Sequence, residues 1–139
     1  MERQQHILVI DDDVQLVDTV QTLLESVGYK VSYAYHAGKG MELARRIRPD
    51  LILLDILYVA PPGPDGIEAA RQLHQDPILK DTPVLMLSGA RKLLGMRIKL
   101  EPDETYLPVT AFLEKPFKPQ DLLAEIEKIL GPRPQVATP

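Results

Sequence analysis

The stretch Leu51-Ile52-Leu53-Leu54-Asp55 decides the fold of this chain. Its four consecutive apolar residues end at a carboxylate, and such a short apolar run is typical of a strand that is buried on both faces in a parallel sheet. Asp55 then lies where the strand leaves the core, which is where ligands bind in open α/β sheets. Aspartate is also a common turn residue, so this stretch alone does not distinguish a functional carboxylate from a turn.

Segments with strand and helix patterns alternate through the rest of the chain. The predicted strands cover residues 6–10, 30–35, 51–54, 82–87 and 109–113. The predicted helices cover residues 14–27, 38–48, 67–75 and 119–130. Because right-handed crossovers connect such units, we expect an α/β fold with a doubly wound parallel sheet and helices on both faces.

The composition excludes several classes of function. The chain has 139 residues, no cysteine and a net charge of -4, which excludes disulfides, thiolate chemistry and cysteine-built zinc sites. No basic cluster indicates direct binding of nucleic acid, and no apolar run is long enough to cross a membrane. The polar start does not resemble a signal peptide, so we expect a cytoplasmic location. We expect one domain over residues 1–130 and a disordered, proline-rich tail over residues 131–139.

Polar side chains follow the predicted strands at the edge of the sheet where the carboxyl ends meet. This edge collects Asp11, Asp12, Asp55, Ser88 and Lys115. Crowded carboxylates repel one another, and a hard divalent cation such as Mg2+ relieves that repulsion. An aspartate can accept a phosphoryl group covalently, while a lysine neutralises the phosphoryl oxygens and a serine donates a hydrogen bond to them. The set therefore indicates phosphoryl transfer to an aspartate with Mg2+.

These residues lie in motifs that resemble the receiver domain of two-component response regulators, including the stand-alone chemotaxis type. The resemblance extends from Gln5 to Leu130. The matching motifs are Val9-Ile10-Asp11-Asp12, Leu53-Leu54-Asp55, Asp65-Gly66, Leu87-Ser88-Gly89-Ala90 and Phe112-Leu113-Glu114-Lys115-Pro116-Phe117. The resemblance implies five strands in the flavodoxin-like order 2-1-3-4-5.

The resemblance also implies an acceptor and a metal site. Asp55 would accept the phosphoryl group from a histidine kinase or a phosphotransfer protein. Asp11, Asp12 and Asp55 would bind Mg2+ together with the backbone carbonyl of Leu57.

Residues on the last two strands complete the implied site. Ser88, Gly89 and Lys115 would contact the phosphoryl group. Ser88 and Phe112 would form a switch pair, in which the aromatic ring changes orientation on phosphorylation. The peptide bond between Lys115 and Pro116 would be cis, which costs little only for a bond that precedes proline.

The predicted function is a single-domain receiver that signals through a phosphorylation-dependent change of a protein-binding surface. It would not be an enzyme, apart from slow dephosphorylation of itself, and would have no output domain of its own. Its downstream partner would be a protein that the sequence does not name, and a homodimer is compatible with the pattern. The alternative is a pseudo-receiver that binds partners without taking phosphate. A phosphohydrolase on a similar sheet is disfavoured, because Asp55-Ile56-Leu57 lacks the second acid of the usual nucleophile motif.

Two segments depart from the receiver pattern. The loop over residues 58–66 is longer than the family's loop after the acceptor. Within residues 91–108, period-two alternation predicts an extended piece and an acidic loop, so the fourth helix of the family is expected to be short or replaced. A short helix shifted onto Leu93, Leu94 and Met96 is the alternative. In receivers, the second residue after the acceptor and the second after the hydroxyl residue flank the path of the hydrolytic water. Here these are Leu57 and Ala90, which offer no polar group that could orient a water, so the resemblance implies a long-lived phosphoryl group.

Overall fold

The computed structural model describes residues 4–55, 66–89 and 109–134. The strands are β1 (His6–Ile10), β2 (Lys30–Ala34), β3 (Leu51–Asp55), β4 (Val84–Gly89) and β5 (Ala111–Lys115). The helices of the described residues are α1 (Val14–Ser26), α2 (Ala37–Ile47), α3 (Gly66–Gln75) and α4 (Pro119–Leu130). Two predicted features, the long loop after Asp55 and the replaced helix within residues 91–108, lie outside these ranges. Residues 135–139 of the predicted tail also lie outside them.

The five strands form one parallel sheet in the order β2-β1-β3-β4-β5. This confirms the predicted doubly wound, flavodoxin-like arrangement. The predicted bounds were wrong at some strand ends. β4 begins at Val84 rather than at residue 82, and β3, β4 and β5 continue into Asp55, Gly89 and Lys115. The backbone ladder therefore extends past the last apolar side chain of each of these strands and carries polar residues into the sheet edge.

Two apolar layers cover the faces of the sheet. Alternate residues of the central strands, such as Ile52 and Leu54, pack with α2 and α3 on one face. The intervening residues, such as Leu51 and Leu53, pack with α1 and α4 on the other face. Since β1 and β3 are buried at every residue, their sequences are apolar without alternation, apart from His6 at the start of β1 and Asp55 at the end of β3.

Local sequence signals set the ends of α1 and α4. Asp13 is the N-cap of α1, and its side chain accepts a hydrogen bond from the Leu16 amide at 3.1 Å. Pro119 occupies the first turn of α4, where its missing amide hydrogen is not needed. Gly131 follows α4 with a φ of 90°, a conformation that favours glycine. Among the described helices, none has both the length and the apolar character needed to cross a membrane.

Candidate functional site

Two neighbouring strands, β1 and β3, bring the acidic residues together. Ile10 pairs with Leu54 across β1 and β3, so Asp11 leaves β1 beside Asp55 at the end of β3. One carboxylate oxygen from each of Asp11, Asp12 and Asp55 lies within 4.8 Å of the others. Asp11 and Asp55 are buried, whereas Asp12 is exposed to solvent. The sequence predicted this cluster because carboxyl ends of parallel strands share one edge.

Lys115 reaches this cluster from β5. Its Nζ donates a hydrogen bond to Asp11 Oδ2 at 2.7 Å and lies 3.5 Å from Asp55 Oδ1. The Asp13 amide donates to the other carboxylate oxygen of Asp11 at 2.9 Å. Asp11 is therefore held at both oxygens, by an ammonium on one side and a backbone amide on the other. The sequence predicts that Lys115 lies beside the phosphoryl group, but not that it contacts Asp11, because that contact depends on a side-chain conformation.

The pKa values of Asp11 and Lys115 are both raised, the first by burial and the second by neighbouring negative charge. Burial raises the pKa of Asp11 to about 6, against the opposing effects of the Lys115 hydrogen bond and the Asp13 amide. Burial also lowers the pKa of Lys115, but the hydrogen bond to Asp11 and the negative charges of Asp11 and Asp55 outweigh it and raise that pKa overall. At neutral pH, Asp11 is ionised and Lys115 is protonated, so the two form an ion pair.

The donor set fits a hard divalent cation. Three carboxylates on adjacent strand ends offer oxygen ligands, which suit Mg2+ or Ca2+ rather than a softer metal. The exposed position of Asp12 leaves one side of the cluster open to water, and Mg2+ usually keeps several waters. The cluster can therefore hold a hard divalent metal ion such as Mg2+.

The remaining predicted residues lie around the cluster with different exposure. Gly89 pairs with Lys115 across β4 and β5 and lines the cavity over the acids. Ser88 is buried and does not line that cavity. Phe112 is half-buried and packs against the apolar layer of α2 and α3. Because Met86 belongs to the same layer, strand alternation places Ser88 and Phe112 on one face of the sheet.

Two predicted features of the site have different outcomes. The peptide bond between Lys115 and Pro116 is cis, as expected. The predicted backbone ligand at Leu57 lies outside the described residues, as do Asp65 and Ala90.

The cavity continues beyond the acid cluster, which the sequence analysis did not predict. From Lys115 it extends past Phe117 and Leu16 to α4, where Asp121 and Glu125 line it. These residues come from α1, α4 and the turn before α4. Helical periodicity identified the apolar faces of α1 and α4, but it does not show which exposed positions border a gap between two helices.

Together, the parallel sheet and the acid cluster at its carboxyl edge define a doubly wound α/β protein with a candidate cation site. The family model of the response regulator receiver domain matches residues 7–127. The chain therefore belongs to the response regulator receiver domain family, whose members take part in two-component signalling and interact with histidine kinases.

Curated relatives and solved structures agree with this assignment. The "DNA-binding dual master transcriptional regulator RpaA" of Synechocystis sp. is 35% identical over 124 residues, which are 89% of this chain and 48% of that protein. The "Alkaline phosphatase synthesis transcriptional regulatory protein PhoP" of Bacillus subtilis is 34% identical over 133 residues, or 96% of this chain and 51% of that protein. This chain thus spans about half the length of these relatives. The chemotaxis response regulator CheY4 of Vibrio cholerae matches with a TM-score of 0.75 and 25% identity, over 92% of this chain and 100% of that one.

Proposed function

We propose that this receiver accepts a phosphoryl group on Asp55 from a histidine kinase or a phosphotransfer protein. The observation that carries the proposal is the cluster of Asp11, Asp12 and Asp55 with Lys115 at hydrogen-bond distance. Phosphoryl transfer needs positioning and charge compensation more than covalent chemistry by the protein, and this cluster offers both. Asp55 lies at the end of the central strand β3 and is the buried acid that faces the Asp11–Asp12 pair.

Each residue of the cluster has a distinct role in the proposed transfer. A carboxylate oxygen of Asp55 attacks phosphorus, so that an oxygen–phosphorus bond forms while the bond from phosphorus to the donor's imidazole nitrogen breaks. Asp11 and Asp12, with Asp55, would hold Mg2+, which would supply positive charge to neutralise the phosphoryl oxygens. Lys115 adds a positive charge from β5, and Ser88 and the Gly89 backbone contribute contacts to the phosphoryl group.

The proposed output is a change of surface at β4 and β5. Ser88 and Phe112 lie on one face of the sheet on adjacent strands, and the half-buried ring of Phe112 has both apolar contacts and an exposed part. A hydrogen bond from Ser88 to the phosphoryl group would change the space beside Phe112, and a downstream protein would bind the altered surface. The placement of Ser88 and Phe112 on one face of adjacent strands supports this role.

Intact-mass analysis tests the acceptor. The protein is incubated with acetyl phosphate and Mg2+, and we expect one added phosphoryl group on the wild type and none on Asp55→Asn. Asp13→Asn is the matched control, because Asp13 also lies at this edge but caps α1, a role that asparagine preserves. A full phosphoryl increment on Asp55→Asn would overturn the assignment. An unmodified wild type, with its fold intact, would favour the pseudo-receiver.

A further inference from the structure

The outer edge of β2 is open among the described residues. β2 is the first strand of the sheet and pairs only with β1 in the described part of the chain. The Asp11 amide donates to the Ala34 carbonyl, and the Lys30 amide donates to the Gln5 carbonyl, so residues of even number point their backbone groups at β1. Because these directions alternate along a strand, the amides and carbonyls of Val31, Tyr33 and Tyr35 point away from the sheet.

A groove runs along this outward edge, with different chemistry on its two sides. Tyr33 and Tyr35 line one side; their ring centroids are 5.3 Å apart, and Tyr33 is 43% exposed. Lys39, Leu43 and Arg46 of α2 line the other side. The two sides lie on opposite faces of the sheet, because Tyr35 packs with the α1 layer and Leu43 with the α2 layer. The groove therefore has the outer edge of β2, which is open among the described residues, as its floor, and it has an aromatic wall and a basic wall.

The basic wall contrasts with the charge of the chain. α2 carries three cations, Lys39, Arg45 and Arg46, and a single carboxylate, Glu42, whereas the whole chain has a net charge of -4. Arg45 is paired with Asp76 at 2.5 Å and does not line the groove, but Lys39 and Arg46 do. Glu42 also lines the groove between these two cations. The wall therefore carries a local excess of positive charge.

We propose that this groove binds an extended acidic segment of a partner protein by adding a strand to β2. An added strand would use the outward amides and carbonyls of Val31 and Tyr33. Its side chains would alternate between the two walls, which matches acidic residues with Lys39 and Arg46 and apolar residues with the tyrosine pair. A second copy of this chain is disfavoured, since pairing β2 with β2 would bring two basic α2 walls to one face of the joined sheet.

Peptide binding tests the proposal directly. The probes are short peptides with capped ends that alternate glutamate with valine or tyrosine. The control peptides contain the same residues with all glutamates in one block, or lysine in place of glutamate. The readout is solvent exchange of backbone amides by NMR. We expect the alternating acidic peptides to slow exchange at Tyr33 and Tyr35, while Ser32, whose amide already faces β1, does not change.

Variants separate the floor of the groove from its walls. Tyr33→Pro removes an outward amide that β1 does not use, and proline is tolerated at such edge positions. Because an added strand needs that amide, we expect the Tyr33→Pro variant to bind the acidic peptide far more weakly than the Tyr33→Ala variant does. Arg46→Glu should weaken binding about fivefold, and Glu42→Gln should strengthen it about twofold. Lys80→Glu makes the same charge change as Arg46→Glu on an exposed residue outside the groove and should have no effect. Asp55→Asn should bind as the wild type does, because Asp55 does not line the groove, so this test is independent of phosphorylation.

Several outcomes would overturn the proposal. Strand addition would be excluded if amide exchange at Tyr33 is unchanged with every acidic peptide. It would also be excluded if the alternating peptides and the control peptides with all glutamates in one block have equal effects. Stronger binding of the lysine peptides would exclude the charge argument. Protection that rises with protein concentration in the absence of peptide would assign the groove to a second copy. Tighter binding of an oligothymidylate at the same amides would assign it to nucleic acid.

Discussion

Replacing Gly40 by alanine should destabilise the fold through one contact beside the acid site. A Cβ built on Gly40 would lie 2.5 Å from Ile10 Cδ1, 2.6 Å from Cγ1 and 3.0 Å from Cγ2. Rotating the terminal methyl does not relieve an overlap that includes Cγ1 and Cγ2, and Ile10 is only 3% exposed. α2 or β1 must therefore move, and β1 continues directly into Asp11.

Gly38 provides a matched control on the same helix. A Cβ there has no heavy atom within 4 Å, so Gly38→Ala should gain about 0.5 kcal/mol from helix propensity. Gly40→Ala has a similar propensity gain, offset by an overpacking cost of about 1–3 kcal/mol. The Gly40 variant should therefore be less stable than the Gly38 variant by about 2 kcal/mol. In a domain of this size, that difference corresponds to about 8 °C in melting temperature.

Urea unfolding followed by circular dichroism measures both variants. Adding Ile10→Val should recover part of the loss in the Gly40→Ala background, because it removes the methyl nearest the new Cβ, whereas Ile10→Val alone costs about 1 kcal/mol. The opposite signs define a coupling between the two positions. If Gly40→Ala is as stable as Gly38→Ala, the close packing of α2 on β1 is refuted.

Three further predictions concern the acid cluster. Mg2+ affinity, measured by titration, should rise about tenfold per pH unit up to about pH 6 and then level off. The reason is that burial raises the pKa of Asp11 to about 6, and Asp11 must lose its proton to bind the metal. Asp11→Asn should remove this dependence of the affinity on pH. The Lys115→Met variant should bind Mg2+ more tightly than the wild type at pH 8, because the wild-type ammonium, 2.7 Å from Asp11, competes with the metal. The same variant should take a phosphoryl group from acetyl phosphate more slowly. Weaker Mg2+ binding by the variant would contradict this competition. Leu57→Asn with Ala90→Glu should shorten the lifetime of the phosphoryl group, measured as loss of phosphorylated mass after desalting; an equal or faster loss in the wild type would mean that these side chains do not control access of water.

The fold was predictable because burial and sequence pattern agree on the central strands. His6–Ile10 and Leu51–Asp55 are buried throughout, which identifies them as strands covered on both faces and requires helices on both sides. The strand ends were less predictable, because backbone pairing carries Asp55 and Lys115 into the sheet although neither side chain is apolar. Apolar runs thus locate a strand, but its hydrogen-bonded length depends on the neighbouring strand.

The acid cluster was predictable for a different reason. Parallel topology alone brings the residues after β1 and β3 to one edge, so no side-chain information is needed to place Asp11 beside Asp55. The position of the Lys115 ammonium follows instead from side-chain conformation and from a Coulomb attraction that both Asp11 and Asp55 exert. The groove along β2 was missed because Tyr33 and Arg46 are distant in sequence, and only the packing of α2 beside the sheet edge makes them neighbours.

The charges of the cluster indicate how Lys115 would act in both the resting site and the proposed phosphorylated site. Three carboxylates and one ammonium leave two formal negative charges, which a divalent cation balances without moving Lys115 out of the cluster. The proposed phosphorylation would replace the single charge of Asp55 by the roughly double charge of a phosphoryl group, so the balanced site would become negative again. Among the described residues, the cation placed to neutralise this added charge is Lys115, whose Nζ lies 3.5 Å from Asp55 Oδ1. A small shift from Asp11 toward Asp55 would then accompany phosphorylation, and because Lys115 lies on β5, that shift would act on the strand that also carries Phe112.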